Sequence, residues 1–388
     1  MPSATYSATR ELLDRLVAFD TTSVKTNIPL ITFVKDYLAG HGIDSQLVPT
    51  PDGKKASLFA SIGPQGVPGV GLSGHTDVVP VEGQAWASDP FKVSEREGRL
   101  YGRGTCDMKG FLACVLAMVP DFKRRNLRTP LHVVFSYDEE VGCTGVRPMI
   151  AELGQRITRP RLVIVGEPTR MSIVDSHKGA TRFRTTVTGR EAHSSMAHIG
   201  VNAIHYAGVL IAELTRIEED LRSAGKSERF TPGYTTLQIG IIEGGRAQNI
   251  VPRHCTFSWE IRALPGFDIQ PVLERFNGFV ASRVLPAMRA IGADTGVETT
   301  VMNSVPAFNS AEHSDAVSLA LKLTGQNATH AVSYGTEAGL FQGGGCDSVI
   351  CGPGDIEQAH RPDEFVEVSE LQRCLTFLGR LADWAEAS

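Results

Sequence analysis

The chain has 388 residues, of which 42% are hydrophobic, and its formal net charge is −5. This length allows two domains with separate cores. The basic residues are dispersed, which argues against a nucleic acid partner, and the longest apolar run, Leu112 to Val119, is far shorter than the roughly 18 residues of a membrane span.

The N-terminus and the cysteines bear on location and on metal chemistry. The sequence begins Met-Pro-Ser-Ala-Thr, with no basic segment followed by an apolar one, so we expect a cytoplasmic protein. The seven cysteines are odd in number, and no two have the two-residue spacing of a zinc knuckle or redox motif. Any metal would therefore be bound by His, Asp and Glu side chains.

The first part of the sequence alternates helical and strand patterns. Leu12, Leu13, Leu16 and Val17 share one helical face, and Phe111–Val119 has the composition of a buried helix. Apolar runs that predict buried strands lie at 69–72, 131–135 and 162–165. This alternation predicts an α/β sheet with helices on its faces.

The pattern changes near Gly179 to that of an α+β segment. Its predicted elements are strands at 181–187, 235–242 and 254–262 and helices at 202–221 and 271–291. After Pro306 the first pattern returns, with a helix at 315–323, a glycine-rich turn at 343–345, a strand at 348–351 and a closing helix from 369. We therefore predict a catalytic domain with a mixed sheet flanked by helices, formed by 1–179 and 307–388. A smaller α+β lid or dimerisation domain, 180–306, interrupts it.

Acidic and histidine residues occur where the predicted strands end. They are His75, Asp107, the pair Glu139 and Glu140, Glu167, and His360. Loops at the carboxyl ends of strands in an open α/β sheet form the ligand crevice. Each residue alone also fits a solvated loop, a turn or a helix cap. Jointly, two histidines and three carboxylates supply the mixed nitrogen and oxygen ligands that suit two zinc-like ions.

Seven motifs resemble those of one enzyme family. They are SGHTDVVP, YGRGTCDMKG, DEEVGCTG, VGEPT, GREAHSS, GGRAQNIVP and EQAHRPDEF. In order and spacing they are similar to the dimetal amidohydrolases, which include aminoacylases, carboxypeptidase G-type enzymes, succinyl-diaminopimelate desuccinylases and acetylornithine deacetylases. The likeness runs from about residue 8 to near the C-terminus. It implies a zinc-peptidase-like catalytic domain that uses two divalent ions, Zn²⁺ or Co²⁺, to hydrolyse the amide bond of an N-acyl amino acid.

The resemblance also implies how the ions are bound. Asp107 would bridge them, His75 and Glu167 would complete one site, and Glu140 and His360 would complete the other. A bridging carboxylate is physically reasonable, because two cations about 3.5–4 Å apart need a shared anion to offset their repulsion.

Two further acidic residues then have separate roles. Glu139 would be the general base, since successive side chains of an extended backbone diverge and only one of the glutamate pair can readily reach a given metal. Asp77 lies two residues after His75 and would accept the hydrogen of its second ring nitrogen, as metal-bound histidines require.

Five residues outside the metal shell match family positions near the substrate. His193 matches a histidine that stabilises the oxyanion, often in the active site of the partner subunit, and Asn249 matches a residue that approaches the site from the insert. Arg262 matches an arginine that holds a substrate carboxylate, for which its planar fork is suited. Thr336 and Glu337 lie in a loop similar to a substrate-contact loop, although such a turn could equally cap a helix. A surface loop for His193 and a surface ion pair for Arg262 remain alternatives.

The substrate is inferred from the resemblance alone. The strings YGTEA and GPGDIEQAH are most similar to those of acetylornithine deacetylases, which implies cleavage of N2-acetyl-L-ornithine to ornithine and acetate in arginine biosynthesis. A succinyl-diaminopimelate desuccinylase or a general aminoacylase is the alternative, since the metal motifs are shared. A noncatalytic metal-dependent amino-acid binding protein is another, but it would be expected to lose Glu139 first. The insert leaves a strand edge to cover, so we also expect a homodimer.

Overall fold

The computed structural model describes residues 4–388. Its helices are α1 (Ala4–Val17), α2 (Ile28–Gly40), α3 (Lys109–Arg124), α4 (Val146–Glu152), α5 (Ala203–Ser223), α6 (Gln270–Phe279), α7 (Leu285–Arg289), α8 (Asp315–Thr324), α9 (Ala338–Gly343) and α10 (Val368–Ala387). Its strands are β1 (Ser45–Pro49), β2 (Ala56–Ile62), β3 (Val70–His75), β4 (Ser94–Arg96), β5 (Arg99–Tyr101), β6 (Leu131–Ser136), β7 (Leu162–Pro168), β8 (Val174–His177), β9 (Gly179–Thr188), β10 (Thr236–Gly244), β11 (His254–Ala263), β12 (Gly296–Val305), β13 (Phe308–Asn309), β14 (His330–Val332), β15 (Asp347–Gly352) and β16 (Phe365–Glu367). Among the described residues, no helix combines the length and hydrophobicity that crossing a membrane requires.

The chain forms two compact units. The first contains the residues up to Asp175 together with Asn309–His330 and Thr336–Ser388. The second contains Ser176–Phe308 and Ala331–Gly335. The catalytic domain at 1–179 with 307–388 and the lid or dimerisation domain at 180–306 stay predictions.

The main sheet of the first unit contains a block of parallel strands. Six neighbouring strands of this sheet lie in the order β1-β2-β6-β3-β7-β15, and β6, β3, β7 and β15 run parallel to one another. Every residue of β3, β6 and β7 is buried, as expected for parallel strands that are covered on both faces. Parallel strands end at the same edge of a sheet, so the loops that follow them lie together.

Helix α3 packs tightly on this sheet through its apolar residues. Phe111 and Leu112 belong to the core of the first unit, along with residues of α1 and α10. A Cβ atom at Gly166 of β7 would lie 2.1 Å from the ring of Phe111, so only glycine allows this contact. The close packing fixes α3 against the strand that carries Glu167.

The second unit is an antiparallel sheet with helices. Its strand order is β10-β11-β9-β12, and its core includes residues of α5 and α6. Phe183 and Trp259 stack in that core with ring centroids 4.2 Å apart, and the side chain of Asn202 caps α5 by accepting the N–H of His205 at 3.0 Å. The predicted strands and the long helix of this segment are all present.

The helix predicted at 271–291 is wrong as a single α-helix. The structure has α6, a π-helical segment at Val280–Val284, and then α7. Pro286 lies in the first turn of α7 and has no backbone N–H, so the regular hydrogen-bond ladder cannot continue through it. The N–H of Leu285 instead bonds to the carbonyl of Val280, which gives the wider turn.

Candidate metal centre

Four of the five predicted metal ligands lie at or after the ends of parallel strands of the first unit, and Asp107 does not. His75 is the last residue of β3, and Glu167 is the next to last residue of β7. Glu139 and Glu140 follow β6, and His360 follows β15 after a short turn. Asp107 lies in the turn that precedes α3. The fold therefore brings together side chains that are far apart in the sequence.

Asp107 lies between the two histidines. Its Oδ1 is 3.0 Å from Nε2 of His75, and its Oδ2 is 3.3 Å from Nε2 of His360. Glu167 Oε1 is 3.8 Å from His75 Nε2, and Glu140 Oε2 is 3.0 Å from His360 Nε2. One carboxylate oxygen thus faces each histidine, and each histidine has a second carboxylate beside it. This is the pairing that a bridging carboxylate requires.

Two groups of ligand atoms are close enough to surround an ion. In His75, Glu139 and Glu167 the atoms all lie within 4.8 Å of one another, and the same holds for His75, Asp107 and Glu140. His75, Asp107 and Glu167 are buried, whereas the side chain of His360 is 54% exposed. Imidazole nitrogen and carboxylate oxygen suit Zn²⁺ and its chemical relatives. The donor set therefore fits a divalent cation.

Asp77 connects His75 to the loop that carries the glutamates. His75 Nδ1 is 2.9 Å from the backbone carbonyl of Asp77 and 3.5 Å from its carboxylate, so the closer partner is the carbonyl. The carboxylate accepts the backbone N–H groups of Glu139 at 3.1 Å and Glu140 at 3.3 Å, and it accepts the hydroxyl of Ser23 at 2.7 Å. Asp77 thus orients the histidine mainly through its backbone and the glutamate loop through its side chain.

Glu139 lies in an environment that favours its protonated form. Burial, and then the charges of Glu140, Glu337 and Asp107, raise its pKa to about 8 against an opposing effect of His75. The thiol of Cys143 donates to Glu139 Oε1 at 3.2 Å. A carboxylate with a raised pKa is a stronger base, as proton abstraction from water requires.

The predicted metal ligands include three carboxylates close together, Asp107, Glu140 and Glu167. Burial and the charge of Asp107 raise the pKa of both Glu140 and Glu167. Asp107 shows the opposite shift: burial raises its pKa, but hydrogen bonds with His360 and His75 outweigh burial and lower it. Hydrogen bonds to Asp107 and Glu140 raise the pKa of His360 to about 10. Divalent cations would neutralise this buried charge.

The chain is similar to known proteins over most of its length. The model of peptidase family M20/M25/M40 matches residues 71–384. The chain is 36% identical to an acetylornithine deacetylase from Myxococcus xanthus over 97% of each protein, and 33% identical to one from Proteus mirabilis (strain HI4320) over 94% of this chain and 92% of that protein.

The chain belongs to peptidase family M20/M25/M40. This membership confirms the prediction of a metal-dependent hydrolase of amide bonds. An M20 family metallo-carboxypeptidase from Sulfolobus solfataricus has the same fold, with a TM-score of 0.78 and 17% identity over 98% of this chain and 99% of that one.

In this M20 family member, His193, Asn249 and Arg262 lie in the second unit. His193 is exposed, and its Nδ1 accepts the backbone N–H of Ser195 at 3.2 Å, which leaves Nε2 as the donor of the neutral ring. Asn249 is adjacent, since its backbone carbonyl accepts the N–H of Ser194 at 3.0 Å. Arg262 is half-buried on β11, where its Nε donates to Glu260 at 3.2 Å. Their roles toward substrate stay predictions.

Thr336 and Glu337 lie in the first unit and are both buried. The hydroxyl of Thr336 accepts the N–H of Ala338 at 3.1 Å, so it acts at the start of α9 in the way a helix cap does. Glu337 accepts hydrogen bonds from Ser136 at 2.6 Å and Ser73 at 3.3 Å, and burial raises its pKa to about 7. The substrate contact of this loop stays a prediction.

Three further residues of the centre carry no metal motif of their own. Ser23 bonds to Asp77, Cys143 bonds to Glu139, and Glu364 contacts the backbone of the Asp107 turn. Cys143 lies in the motif DEEVGCTG and Glu364 in EQAHRPDEF, so the family motifs could have indicated that both residues lie near the site. Ser23 has no sequence signal, because its role follows from the pairing of distant loops.

Proposed function

We propose that the chain hydrolyses the amide bond of N-acyl amino acids and that its preferred substrate is N2-acetyl-L-ornithine, which yields ornithine and acetate for arginine biosynthesis. The observation that carries this proposal is the placement of Asp107 between His75 and His360, with Glu139 beside them. The sequence identity of this chain to two acetylornithine deacetylases, 36% and 33% over nearly its whole length, supports the choice of substrate.

The site would hold two divalent ions, zinc or cobalt, per chain. Asp107 would bridge them, His75 and Glu167 would complete the first site, and Glu140 and His360 would complete the second. The distances of the histidines from their carboxylates support this division. When bound, the ions would polarise the substrate carbonyl and acidify a water molecule.

Glu139 would accept the proton of that water and later deliver it to the departing amine. The backbone of Glu139 is held by Asp77, and Oε1 of its side chain receives the Cys143 thiol hydrogen. These contacts support a fixed orientation of the carboxylate. The carboxylic acid formed at Glu139 would then return the proton to the departing amine.

The second unit would supply substrate contacts. We propose that His193 donates from Nε2 to the oxyanion of the substrate carbonyl, an interaction that commonly contributes about 10²–10³ in rate. The hydrogen bond at Nδ1 supports this role because it fixes the donor nitrogen. Asn249 would assist beside it, and the guanidinium of Arg262 would bind the substrate carboxylate. Thr336 and Glu337 would shape the pocket in the first unit.

The enzyme would act as a homodimer in the cytoplasm. β10 and β12 are the edge strands of the second unit, and they expose Ile241, Ile242, Val301 and Met302 at 59%, 52%, 59% and 51%. Exposed edge strands with apolar side chains favour pairing with another chain. All seven cysteines are free, which fits a reducing compartment.

The test is an assay of the purified protein with zinc or cobalt against three substrates. N-acetylornithine should be cleaved with the highest kcat/KM, ahead of N-acetylmethionine and N-succinyl-diaminopimelate. Glu139→Gln should bind both ions and lose activity by about 10²–10⁴, the range of general acid–base catalysis. Preference for another substrate would overturn the substrate assignment, and a loss below about tenfold would remove Glu139 from the role of base.

A further inference from the structure

A buried ion pair lies next to the metal centre in the first unit. Nη1 of Arg103 is 2.6 Å from Oε2 of Glu364, and both side chains are only 1% exposed. Removing two charges from water is unfavourable, so such pairs require further hydrogen bonds to be stable. The partners of this pair therefore indicate what it holds in place.

Glu364 accepts hydrogen bonds from the backbone of the turn that ends at Asp107. Its Oε2 accepts the N–H of Gly104 at 3.1 Å, and its Oε1 accepts those of Cys106 at 2.9 Å and Asp107 at 3.0 Å. Three donors converge on one carboxylate. Hydrogen bonds to an ionised acceptor are about twice as strong as neutral ones, so this turn has a well-defined path.

The same pair is connected to the loop that carries His360. Glu364 is four residues after His360, and its backbone carbonyl accepts the N–H of Gly102 at 2.9 Å beside the pairing of β16 with β5. Arg103 donates to Gln84 Oε1 at 2.6 Å, and Gln84 Nε2 donates to the His360 carbonyl at 2.9 Å. One buried pair thus contacts both ligand loops.

The His360 backbone needs such support. Its φ is 63°, in the left-handed region that residues with a Cβ atom seldom adopt. Residues in this region persist when surrounding contacts determine them. Among those contacts is the hydrogen bond from Gln84, whose own position depends on Arg103.

We propose that Glu364, paired with Arg103, is a positioning residue that holds Asp107 and His360 at the separation at which both bind the same ion. This inference rests on the metal ligands of the proposed function. If the pair only stabilised the fold, its loss would lower the unfolding temperature of the metal-free protein and leave the metal affinity of the folded protein unchanged. A positioning role changes the affinity itself.

The experiment compares Glu364→Gln with Glu370→Gln. Glu370 is also a buried carboxylate of the first unit, and it pairs with Arg373 at 2.6 Å on α10, with both partners on one helix. Zinc affinity would be measured by competition with a chelator, and the absorption spectrum of bound Co²⁺ would report ligand geometry. Glu364→Gln should bind at least one ion about 10–100-fold more weakly and alter the spectrum, the size of effect typical of groups that orient metal ligands. Glu370→Gln should match the wild type.

Gln84→Ala provides a second variant, which keeps both buried charges and removes one hydrogen bond of Arg103. It removes the bond to the His360 carbonyl from a partly exposed position, so folding should survive. We expect weaker binding of one ion and normal binding of the other. Wild-type affinity in both Glu364→Gln and Gln84→Ala would overturn the inference. If Glu364→Gln does not fold, Gln84→Ala alone decides. Absence of metal binding by the wild-type protein would instead overturn the proposed function.

Discussion

The thiol of Cys143 donates a hydrogen bond to Glu139 across 3.2 Å. Cys143 is buried, and its φ of 52° places it in the left-handed region just after the glutamate loop. The contact joins the proposed base to a side chain that offers one weak donor.

Replacement of Cys143 should therefore affect turnover according to whether a donor remains. We expect Cys143→Ala to lower kcat by about 2–10-fold, since a typical intramolecular hydrogen bond contributes about 0.5–1.5 kcal/mol, and Cys143→Ser to stay near wild type. Steady-state kinetics at saturating substrate would measure this, with Cys346→Ala as a matched buried cysteine. Equal activity of the Ala and Ser variants would show that the hydrogen bond has no part in catalysis.

Metal stoichiometry tests the bridging role of Asp107. Asp107→Ala should disturb both sites because one oxygen faces each histidine, whereas His360→Ala should chiefly disturb one. Elemental analysis after equilibration with zinc would give the content, which should approach two ions per chain in the wild type. Two tightly held ions in Asp107→Ala would be incompatible with a bridge.

Arg262 and Arg182 make a matched pair for the substrate carboxylate. Both contact Glu260, at 3.2 Å and 3.3 Å, but only Arg262 matches the family arginine that holds a substrate carboxylate. Arg262→Lys should lower kcat/KM by about tenfold or more, since hydrogen bonds to charged groups contribute about 1.5–3 kcal/mol and an ammonium cannot reproduce the fork. Arg182→Lys should have little effect. If the two variants had similar kcat/KM values, Arg262 would only form its ion pair with Glu260 and would not bind the substrate.

Subunit mixing tests whether His193 acts across a dimer. Glu139→Gln and His193→Ala homodimers should each be inactive, but random exchange would make half of the dimers hybrids with one intact site each. Activity should then recover toward about a quarter of wild type, as two-fold symmetry dictates. His198→Ala, in the same exposed 3₁₀ turn, should be active without mixing. No recovery after verified exchange would place His193 within its own subunit or outside catalysis.

The buried His132 should make the folded protein less stable at acidic pH. Burial lowers its pKa to about 4, below the usual value of about 6.5, so the unfolded chain binds more protons between these pH values. The free energy of unfolding should thus fall as pH decreases through this window, by about 2 kcal/mol between pH 7 and pH 5 from this residue. Urea unfolding with a chelator present would measure it. His132→Phe should lose less stability over the same interval; an equal loss would contradict the assignment.

The metal ligands were easiest to predict from the sequence where a histidine or carboxylate lies at the end of a predicted strand. His75 and Glu167 are recognisable because each comes at the end of an apolar run, and parallel strands bring those ends together. Asp107 lies instead in the turn before α3, and only its family motif indicated it. Glu364 stands in the motif EQAHRPDEF, but its role could not be predicted from the sequence, since it accepts backbone N–H groups, which every residue type except proline offers. The sequence also left the role of Thr336 open, because its hydroxyl can bind either a substrate or the backbone N–H of Ala338.

Predicted periodicity also failed where backbone chemistry intervenes. The segment 271–291 has a helical distribution of apolar residues, and Val272, Phe276, Val284 and Met288 are indeed buried. The apolar pattern reports which side faces the core. It does not report the hydrogen-bond ladder, which Pro286 interrupts.

The burial of all seven cysteines has a practical consequence for measuring motion. Their side chains are at most 2% exposed, so thiol-reactive dyes should leave the folded protein unlabelled. One cysteine introduced at an exposed position of each unit would then be the only sites to react. A donor and an acceptor dye on those two positions would test, by energy transfer, whether substrate binding changes the distance between the labelled positions.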